Sequence, residues 1–398
     1  MRWASTLCAQ PTLAASLEEA IEGINAQLGG EPPDMVTVFI DPQRLGQYYL
    51  VSETLKQRFP HAAVLGCVAG GVVGAGLEVE DSPALSMTAA VMPAVSITPF
   101  HLEPAEVEVF EESPELWYER LSLESGDDAD LSFLIIPEPF TCDAKALLRS
   151  LDAAFPSSPK VGGLASGARQ PGSSVLFLDR QVHSAGAVGL ALRGDLTMDT
   201  IVAQGCKPIG EPLFITWAED TRIYQLEGRK ASQVLADLFE TLPPADQETA
   251  RSSLFLGIAM EGGRQEYDHG DFLIRNLIGL DPESGVIAIG ESLENGQVVQ
   301  FHLRDATTSA LDLRTMLTRY RASLSGGDPQ GALLFSCLGR GKHLYGEAHH
   351  DSRVIMDHLG DLPLGGFFCN GEIGPVGGRS YLHGYTSAIA LFRPKSAH

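Results

Sequence analysis

Short apolar runs alternate along the chain with stretches whose apolar residues recur at helical spacing, a pattern typical of strands separated by helices. Residues 12–28 carry this helical spacing and end in a glycine pair, which predicts an amphipathic helix with a glycine stop. The compact apolar run Met35–Ile40 predicts a strand, residues 48–59 a second helix and residues 62–65 a second strand. Strand, helix and strand in this order favour a partly parallel sheet.

The same pattern recurs through the rest of the chain. Residues 131–136 and 142–155 predict a strand and a helix, followed by an antiparallel pair at 174–178 and 185–192. The second half predicts further helices and strands and one polar link, namely helices at 232–239, 306–324 and 352–359, strands at 253–260, 272–280, 286–289, 298–303, 331–337 and 364–369, and a link at 241–247. We therefore predict a mixed α/β fold of two similar lobes, each a mixed, mostly antiparallel sheet with flanking helices, and a layered αββα arrangement agrees with it.

Glycines recur at matching intervals in three places. Gly66 and Gly366 each have further glycines five and eight positions later, and Gly162 repeats the first of these intervals with Gly167. Each set follows a short apolar run and a helix, so a shared turn explains the repetition. We interpret this as two pseudo-equivalent domains that present similar loops.

Composition narrows the class of protein. The 398 residues carry a net charge of −23 and are 44% hydrophobic, which indicates a large core and a solvated acidic surface. This charge argues against nucleic acid and against a polybasic membrane contact. The uncharged stretch 82–102 contains three prolines, so it predicts two strands broken at Pro93 and no membrane insertion. Six scattered cysteines without a C-x-x-C pair favour reduced thiols and a cytoplasmic location.

Polar residues follow two apolar runs near the end of the chain and form the best candidate site. The runs Gly331–Cys337 and Leu364–Cys369 each end in a cysteine and a glycine turn. Glycine lets a backbone approach a ligand closely, and polar side chains at strand ends commonly bind or react. The predicted ligand-binding residues are Cys337, Arg340, Asn370, Gly371, Glu372, His383 and Tyr385.

Several chemistries fit these residue types. Arg340 would bind a carboxylate, and Asn370, Glu372 and His383 would bind the rest of a zwitterion. An enzyme that uses Cys337, or Glu372 with His383 as acid and base, is the alternative, although no catalytic residue is assigned. No metal site is predicted, because residues 349–351 (His-His-Asp) have no metal-ligand spacing and favour an exposed turn that caps a helix.

Separated motifs in a fixed order resemble the FIST domain family. They are residues 64–67 and 202–210 in the first half, and residues 271–279, 300–306, 337–341 and 383–386 in the second. The resemblance implies a FIST N-terminal domain at 31–212 and a FIST C-terminal domain at 222–392. The chain departs from the family at residues 70–73, Gly-Gly-Val-Val, where an acidic loop residue is expected.

The resemblance also implies a function. FIST domains are sensory modules of bacterial signal transduction, and the domain also occurs in a eukaryotic F-box protein. The family implies a small-molecule ligand, such as an amino acid or related metabolite, and a separate signalling protein as partner, because the chain has no room for an output domain. No cofactor is assigned, and a haem-based gas sensor and a protein-interaction scaffold stay open as alternatives.

Overall fold

A computed structural model of the protein describes residues 1–44, 48–124, 126, 129–281 and 283–395. The strands, in chain order, are β1 (Arg2–Cys8), β2 (Met35–Ile40), β3 (Ala63–Val68), β4 (Gly71–Gly74), β5 (Leu77–Glu80), β6 (Leu85–Val91), β7 (Val95–Leu102), β8 (Leu131–Pro137), β9 (Lys160–Gly163), β10 (Leu176–Leu178), β11 (Gln181–His183), β12 (Ala187–Gly194), β13 (Thr197–Gln204), β14 (Cys206–Glu219), β15 (Arg222–Leu226), β16 (Arg229–Lys230), β17 (Leu254–Ala259), β18 (Phe272–Asp281), β19 (Val286–Ile289), β20 (Val298–Arg304), β21 (Gly331–Cys337), β22 (Leu364–Cys369), β23 (Glu372–Val376), β24 (Arg379–His383) and β25 (Thr386–Arg393).

The helices are α1 (Leu13–Leu28), α2 (Tyr49–Arg58), α3 (Pro104–Glu112), α4 (Leu116–Arg120), α5 (Ala144–Ala154), α6 (Ala231–Thr241), α7 (Pro244–Ser253), α8 (Ala306–Ser323), α9 (Gly341–Tyr345) and α10 (His350–Leu359). The predicted mixed α/β fold is confirmed, with several mixed sheets and flanking helices. The break at Pro93 is also confirmed, because β6 and β7 lie on either side of it. Helix α7 corrects the predicted polar link at 241–247: Pro244 lies in its first turn, where the missing N–H of proline costs nothing.

The chain forms two compact units. The first consists of Met1–Val202, Leu313–Leu382 and Thr386–His398, and the second of Ala203–Asp312 and His383–Tyr385. This division follows contacts within the fold, so the sequence domains at 31–212 and 222–392 stay a prediction.

Three six-stranded sheets with one common strand order build the first unit. Their orders are β1-β6-β2-β3-β10-β11, β7-β12-β8-β9-β23-β24 and β13-β25-β21-β22-β4-β5. The two middle strands of each sheet are parallel, and helices α2, α5 and α9–α10 connect them. The last two strands of every sheet come from another sheet's chain segment. Hairpin β4–β5 follows β3 and joins β22, β10–β11 follows β9 and joins β3, and β23–β24 follows β22 and joins β9.

The glycine repetition seen in the sequence marks this threefold arrangement. Gly66, Gly162 and Gly366 occupy the same register position in the second strand of the three parallel pairs. A Cβ atom at any of them would lie 1.9 Å from a backbone carbonyl oxygen of the neighbouring strand, that of Val38, Ile135 or Leu334. Only glycine allows this close approach. The sequence therefore contained a threefold signal, which we interpreted as a pair of domains.

One hydrophobic core lies between the three sheets. Phe39, Leu134 and Phe367, one from each sheet, are buried in the same cluster. Two further clusters lie beneath the helices on the opposite faces, with α1 and α2 covering one sheet and α3–α5 another. Each of these sheets is therefore buried on both faces, as a parallel pair of apolar strands requires.

The second unit is an antiparallel sheet with the order β14-β20-β17-β18-β19-β15-β16. Strand β14 also pairs with β15, so the ring of strands from β14 to β15 closes on itself. Leu256 and Phe301 are among the residues of its core.

Candidate functional site

The two runs that predicted the site become the parallel neighbours β21 and β22 of the first unit. Their last residues, Cys337 and Cys369, are register partners. Arg340 follows β21, and Glu372 begins β23 after a two-residue turn from β22. The carboxyl ends of adjacent parallel strands lie at one sheet edge, so the sequence brought Cys337, Arg340 and Glu372 to one place.

Arg340 is the centre of this place and is buried, with a relative exposure of 1%. Its Nε atom donates to Oδ2 of Asp351 at 2.8 Å, and Nη2 donates to Oδ1 of Asp351 at 3.2 Å and to the Tyr345 hydroxyl at 2.6 Å. The bidentate pair neutralises the guanidinium charge within the protein. We call Glu78, Arg340, Tyr345, Asp351 and Glu372 the Arg340 cluster.

Asp351 is the counter-ion of the Arg340 cluster. Burial opposes its ionisation, but the Arg340 charge and hydrogen bonds from His350, Arg340 and Ser387 hold the pKa of Asp351 well below its usual range. The prediction of an exposed turn at residues 349–351 is wrong for His350 and Asp351, which are buried. The physical reason is the buried cation, which needs a buried carboxylate beside it.

Glu372 is fully buried, and its two carboxyl oxygens differ in their hydrogen bonding. Its Oε2 atom accepts a hydrogen bond from the Thr386 N–H at 3.1 Å, whereas Oε1 has no partner among the described residues. Burial raises the pKa of Glu372 to about 8, although the Thr386 N–H, the Arg340 charge and a hydrogen bond with Cys337 each lower it. The carboxyl group is therefore mostly neutral at pH 7.

Two other positions show that the fold does not require this arrangement. Val72 lies six residues after Gly66, as Glu372 does after Gly366, and it is buried in the apolar core. Glu138, at the end of β8, is equally buried, but it accepts hydrogen bonds from Phe140, Thr141 and Ser174 on both oxygens. A strand end of this unit thus tolerates an apolar residue or a fully bonded carboxylate, and Glu372 is neither.

Glu78 is a member that the sequence analysis missed. It lies on β5, and its Oε1 atom accepts from the Ser352 N–H at 2.7 Å, while Oε2 has no partner in the described part of the chain. Burial, together with the negative charge of Asp351, raises the pKa of Glu78 to about 7. No sequence signal marked it, because hairpin β4–β5 reaches this sheet from a distant chain segment.

Cys337 lies at the rim of the Arg340 cluster and is half-buried. Its Sγ atom accepts a hydrogen bond from the Gly339 N–H at 3.4 Å, and its thiol hydrogen-bonds with Glu372. A backbone N–H and a nearby guanidinium both favour a thiolate. The predicted neighbourhood of Cys337 and Arg340 is thus present in the structure.

Asn370 and Gly371 form the turn between β22 and β23. The Asn370 side chain is exposed. The Asn370 N–H donates to the Leu164 carbonyl at 3.2 Å, and the Gly371 carbonyl accepts from the Leu164 N–H at 2.9 Å. Gly371 has a φ of +138°, which other residues rarely adopt. The backbone of this turn is fixed, whereas the Asn370 amide is open to solvent.

His383 and Tyr385 belong to the second unit. The Tyr385 hydroxyl donates to Oδ1 of Asn276 at 2.7 Å, and its ring packs against Phe255 with a centroid distance of 4.3 Å. His383 is buried, with a relative exposure of 3%. Tyr385 therefore contacts β17 and β18, and His383 is assigned to the same unit.

Comparisons with known proteins cover both halves of the chain. The FIST N domain matches residues 34–229 and the FIST C domain matches residues 231–375. An uncharacterized protein of Mycobacterium tuberculosis is 36% identical over 382 residues, which is 96% of this chain and 97% of that protein. An uncharacterized protein of Mycobacterium bovis is 34% identical over 392 residues, 98% of this chain and 99% of that protein.

A solved structure of a cyanuric acid hydrolase from A. caulinodans aligns over 99% of both chains, with 7% sequence identity and a TM-score of 0.36. We draw no conclusion from a similarity at this level. Within the described ranges, every helix is too short or too polar to cross a membrane.

The two domain matches, together with relatives that align over nearly the whole chain, show that the protein belongs to the FIST family, whose domains are sensory and signalling modules.

Proposed function

We propose that this protein is a sensor that binds a small zwitterion, such as an amino acid or a related metabolite, at the strand ends of β21 and β22. The ligand contacts are Cys337, Arg340, Asn370, Gly371 and Glu372. The bound state is passed on through a separate signalling protein, because sensory modules of this family act within signal transduction.

One observation carries the proposal: two buried polar atoms of opposite character lack partners. Within the described residues, Nη1 of Arg340 and Oε1 of Glu372 have no hydrogen-bond partner, and both side chains are at most 1% exposed. Leaving such atoms unsatisfied costs about 1–3 kcal/mol each, and more where a charge is involved. A carboxylate on Nη1 and an ammonium on Oε1 would satisfy both.

The protonation of Glu372 supports an ammonium ligand. An incoming cation favours the ionised carboxyl group, so binding would lower a pKa that burial has raised to about 8. Binding would therefore release a proton near neutral pH, and affinity for the ligand would increase as the pH rises toward 8.

A ligand would reach Nη1 of Arg340 and Oε1 of Glu372 through the turns that follow β21 and β22. Leu338 is 38% exposed, and Asn370 is exposed, so both turns reach solvent above the buried atoms. A ligand enters when residues 338–341 or the Asn370 turn move aside. Such a movement supplies the conformational change that a separate partner could recognise.

The test is thermal denaturation with a panel of amino acids, each compared with its deaminated and its decarboxylated analogue. We expect a rise in Tm only with compounds that carry both groups. A ligand at a hundred times its Kd adds about 2.7 kcal/mol of stability. A panel without any shift, or equal shifts with the analogues, contradicts the proposal.

Arg340→Lys is the informative variant, since it keeps the charge and removes Nη1. Arg393→Lys is the matched control, because Arg393 forms a similar bidentate pair with Asp199 elsewhere in the first unit. We expect the ligand-induced rise in Tm to disappear in Arg340→Lys and to persist in Arg393→Lys.

A further inference from the structure

Cys337 and Cys369 are direct neighbours on parallel strands, and the proposed sensor function uses Cys337 as a ligand contact but not its pairing with Cys369. They end β21 and β22 as register partners. Adjacent strands lie about 4.8 Å apart, which falls within the Cα separation of roughly 4.4–6.8 Å that a disulfide spans. Register partners in a parallel sheet also point to the same face, so the two thiols can meet.

The two thiols differ in how exposed they are to solvent. Cys337 is half-buried, whereas Cys369 is fully buried with a relative exposure of 0%. A small oxidant therefore reaches Cys337 first, and Cys369 is protected until Cys337 has reacted. This division matches that between an attacking and a resolving cysteine.

The surroundings of Cys337 favour reaction at its sulfur. The Gly339 N–H donates to Sγ, and Arg340 places a guanidinium charge close enough to interact with the thiol. Both stabilise the thiolate, which is the nucleophile. Among the described residues, Nη1 of Arg340 and Oε1 of Glu372 have no hydrogen-bond partner, so the two side chains that interact with Cys337 offer one buried donor and one buried acceptor.

A hydroperoxide fits these groups. Its O–H can donate to the Glu372 oxygen, and its departing oxygen can accept from the Arg340 guanidinium. We propose that Cys337 and Cys369 form a redox site, at which a small hydroperoxide oxidises Cys337 and Cys369 then closes a disulfide. The site does not depend on the binding of a zwitterion.

The chemistry balances in two steps. The Cys337 thiol loses its proton, the thiolate attacks one peroxide oxygen, an S–O bond forms and the O–O bond breaks, and the departing oxygen takes up that proton and leaves as water or an alcohol. The Cys369 thiol then attacks the sulfenic sulfur, an S–S bond forms, the S–O bond breaks, and the hydroxyl leaves as water with the Cys369 proton. Two electrons pass from the two sulfurs to the peroxide.

The test is a titration of the reduced, full-length protein with hydrogen peroxide, followed by a thiol assay under denaturing conditions and non-reducing peptide mapping. We expect two fewer thiols than the six of the reduced chain, one crosslink between the Cys337 and Cys369 peptides, and recovery of all thiols with dithiothreitol. An unchanged thiol count overturns the proposal. A crosslink to another cysteine, or oxidation of Cys337 beyond the sulfenic acid without a crosslink, also overturns it.

Two variants sharpen the result. In Cys369→Ser, the sulfenic acid of Cys337 has no resolving partner, so dimedone should label Cys337 at least tenfold more than in the wild type. Cys142→Ser removes another buried cysteine and should leave the crosslink unchanged. Equal dimedone labelling of the Cys369→Ser variant and the wild type contradicts the assignment of Cys369 as the resolving cysteine. If that variant does not fold, the crosslink in the peptide map of the wild type tests the same assignment.

Discussion

The first unit contains two triads of the same three residue types, and they differ in burial. Arg340 binds Asp351 through two nitrogens and also binds the Tyr345 hydroxyl. Arg393 binds Asp199 through two nitrogens, and the Tyr320 hydroxyl donates to the same aspartate. The side chains of Arg340 and Asp351 are 1% and 2% exposed, whereas those of Arg393 and Asp199 are 13% and 22% exposed.

This difference in burial separates the roles of the two triads. Solvent reaches the Arg393 triad, so water can complete its hydrogen bonds, and the triad stabilises the fold modestly. Arg340 and Asp351 are shielded from solvent, Nη1 of Arg340 has no hydrogen-bond partner in the described part of the chain, and two further buried carboxyl groups, Glu78 and Glu372, belong to the same cluster. Apolar residues of equal volume would stabilise such a place at least as well, which favours a functional reason for the buried charges.

The largest expected effect is the loss of the buried cation. Arg340→Met leaves Asp351 buried without a counter-ion and should lower the free energy of unfolding by about 3–5 kcal/mol. Arg393→Met, the matched change in the exposed triad, should cost about 1 kcal/mol. Calorimetric Tm values of the two variants measure the difference, and equal losses would show that burial does not distinguish the triads.

The second effect is a pH dependence that arises from Glu372, which lies in the Arg340 cluster and has no counterpart in the Arg393 triad. Burial raises the pKa of Glu372 in the folded protein to about 8, from an ordinary value of 4.5. The contribution of the neutral carboxyl group to the stability of the fold is therefore complete below pH 4.5 and is lost as the pH rises through 8. Glu372→Gln stays neutral at every pH. From about pH 5 to about pH 8, the wild type should lose roughly 3 kcal/mol relative to Glu372→Gln.

This relative loss is measured by denaturant unfolding of both proteins across the pH range. Glu78, whose pKa is also raised, is present in both and cancels in the comparison to first order. Parallel stability curves for the wild type and Glu372→Gln would contradict the assignment of a neutral Glu372.

The smallest effect tests the two tyrosines. Tyr345→Phe removes an acceptor from the buried Arg340 and should cost about 2 kcal/mol, because a hydrogen bond to a charged group is lost. Tyr320→Phe should cost about 1 kcal/mol, because Asp199 is partly solvated. Thermal unfolding of the pair measures the difference, and a larger loss in Tyr320→Phe would reverse the comparison.

Local patterns predicted the elements well and the cluster only in part. Strand Met35–Ile40 has the predicted bounds, and Cys337, Arg340 and Glu372 were predicted in one site because they follow two similar apolar runs, which pair as β21 and β22. Asp351 was misjudged, since a run of two histidines and an aspartate has the composition of an exposed turn. Its burial depends on Arg340, which is a tertiary contact.

Glu78 could not be predicted, because nothing local shows that its hairpin crosses to the sheet of β21 and β22. The same crossing explains why three equivalent sheets were interpreted as two domains. Periodicity along a chain identifies strands, but it does not specify which distant strand completes a sheet.

The exchange of hairpins among the three sheets governs how the protein is made. Val72 pairs with Phe367, and Glu372 pairs with Gly163, so two of the three sheets cannot close until almost the entire chain has been synthesised, whereas the sheet from β1 to β11 needs only residues up to His183. Until then β9 lacks β23 and the hairpin β4–β5 lacks β22, and open strand edges promote aggregation. Synthesis of this protein should therefore rely on chaperones that shield nascent chains, and a premature stop anywhere before β23 should leave two of the three sheets incomplete.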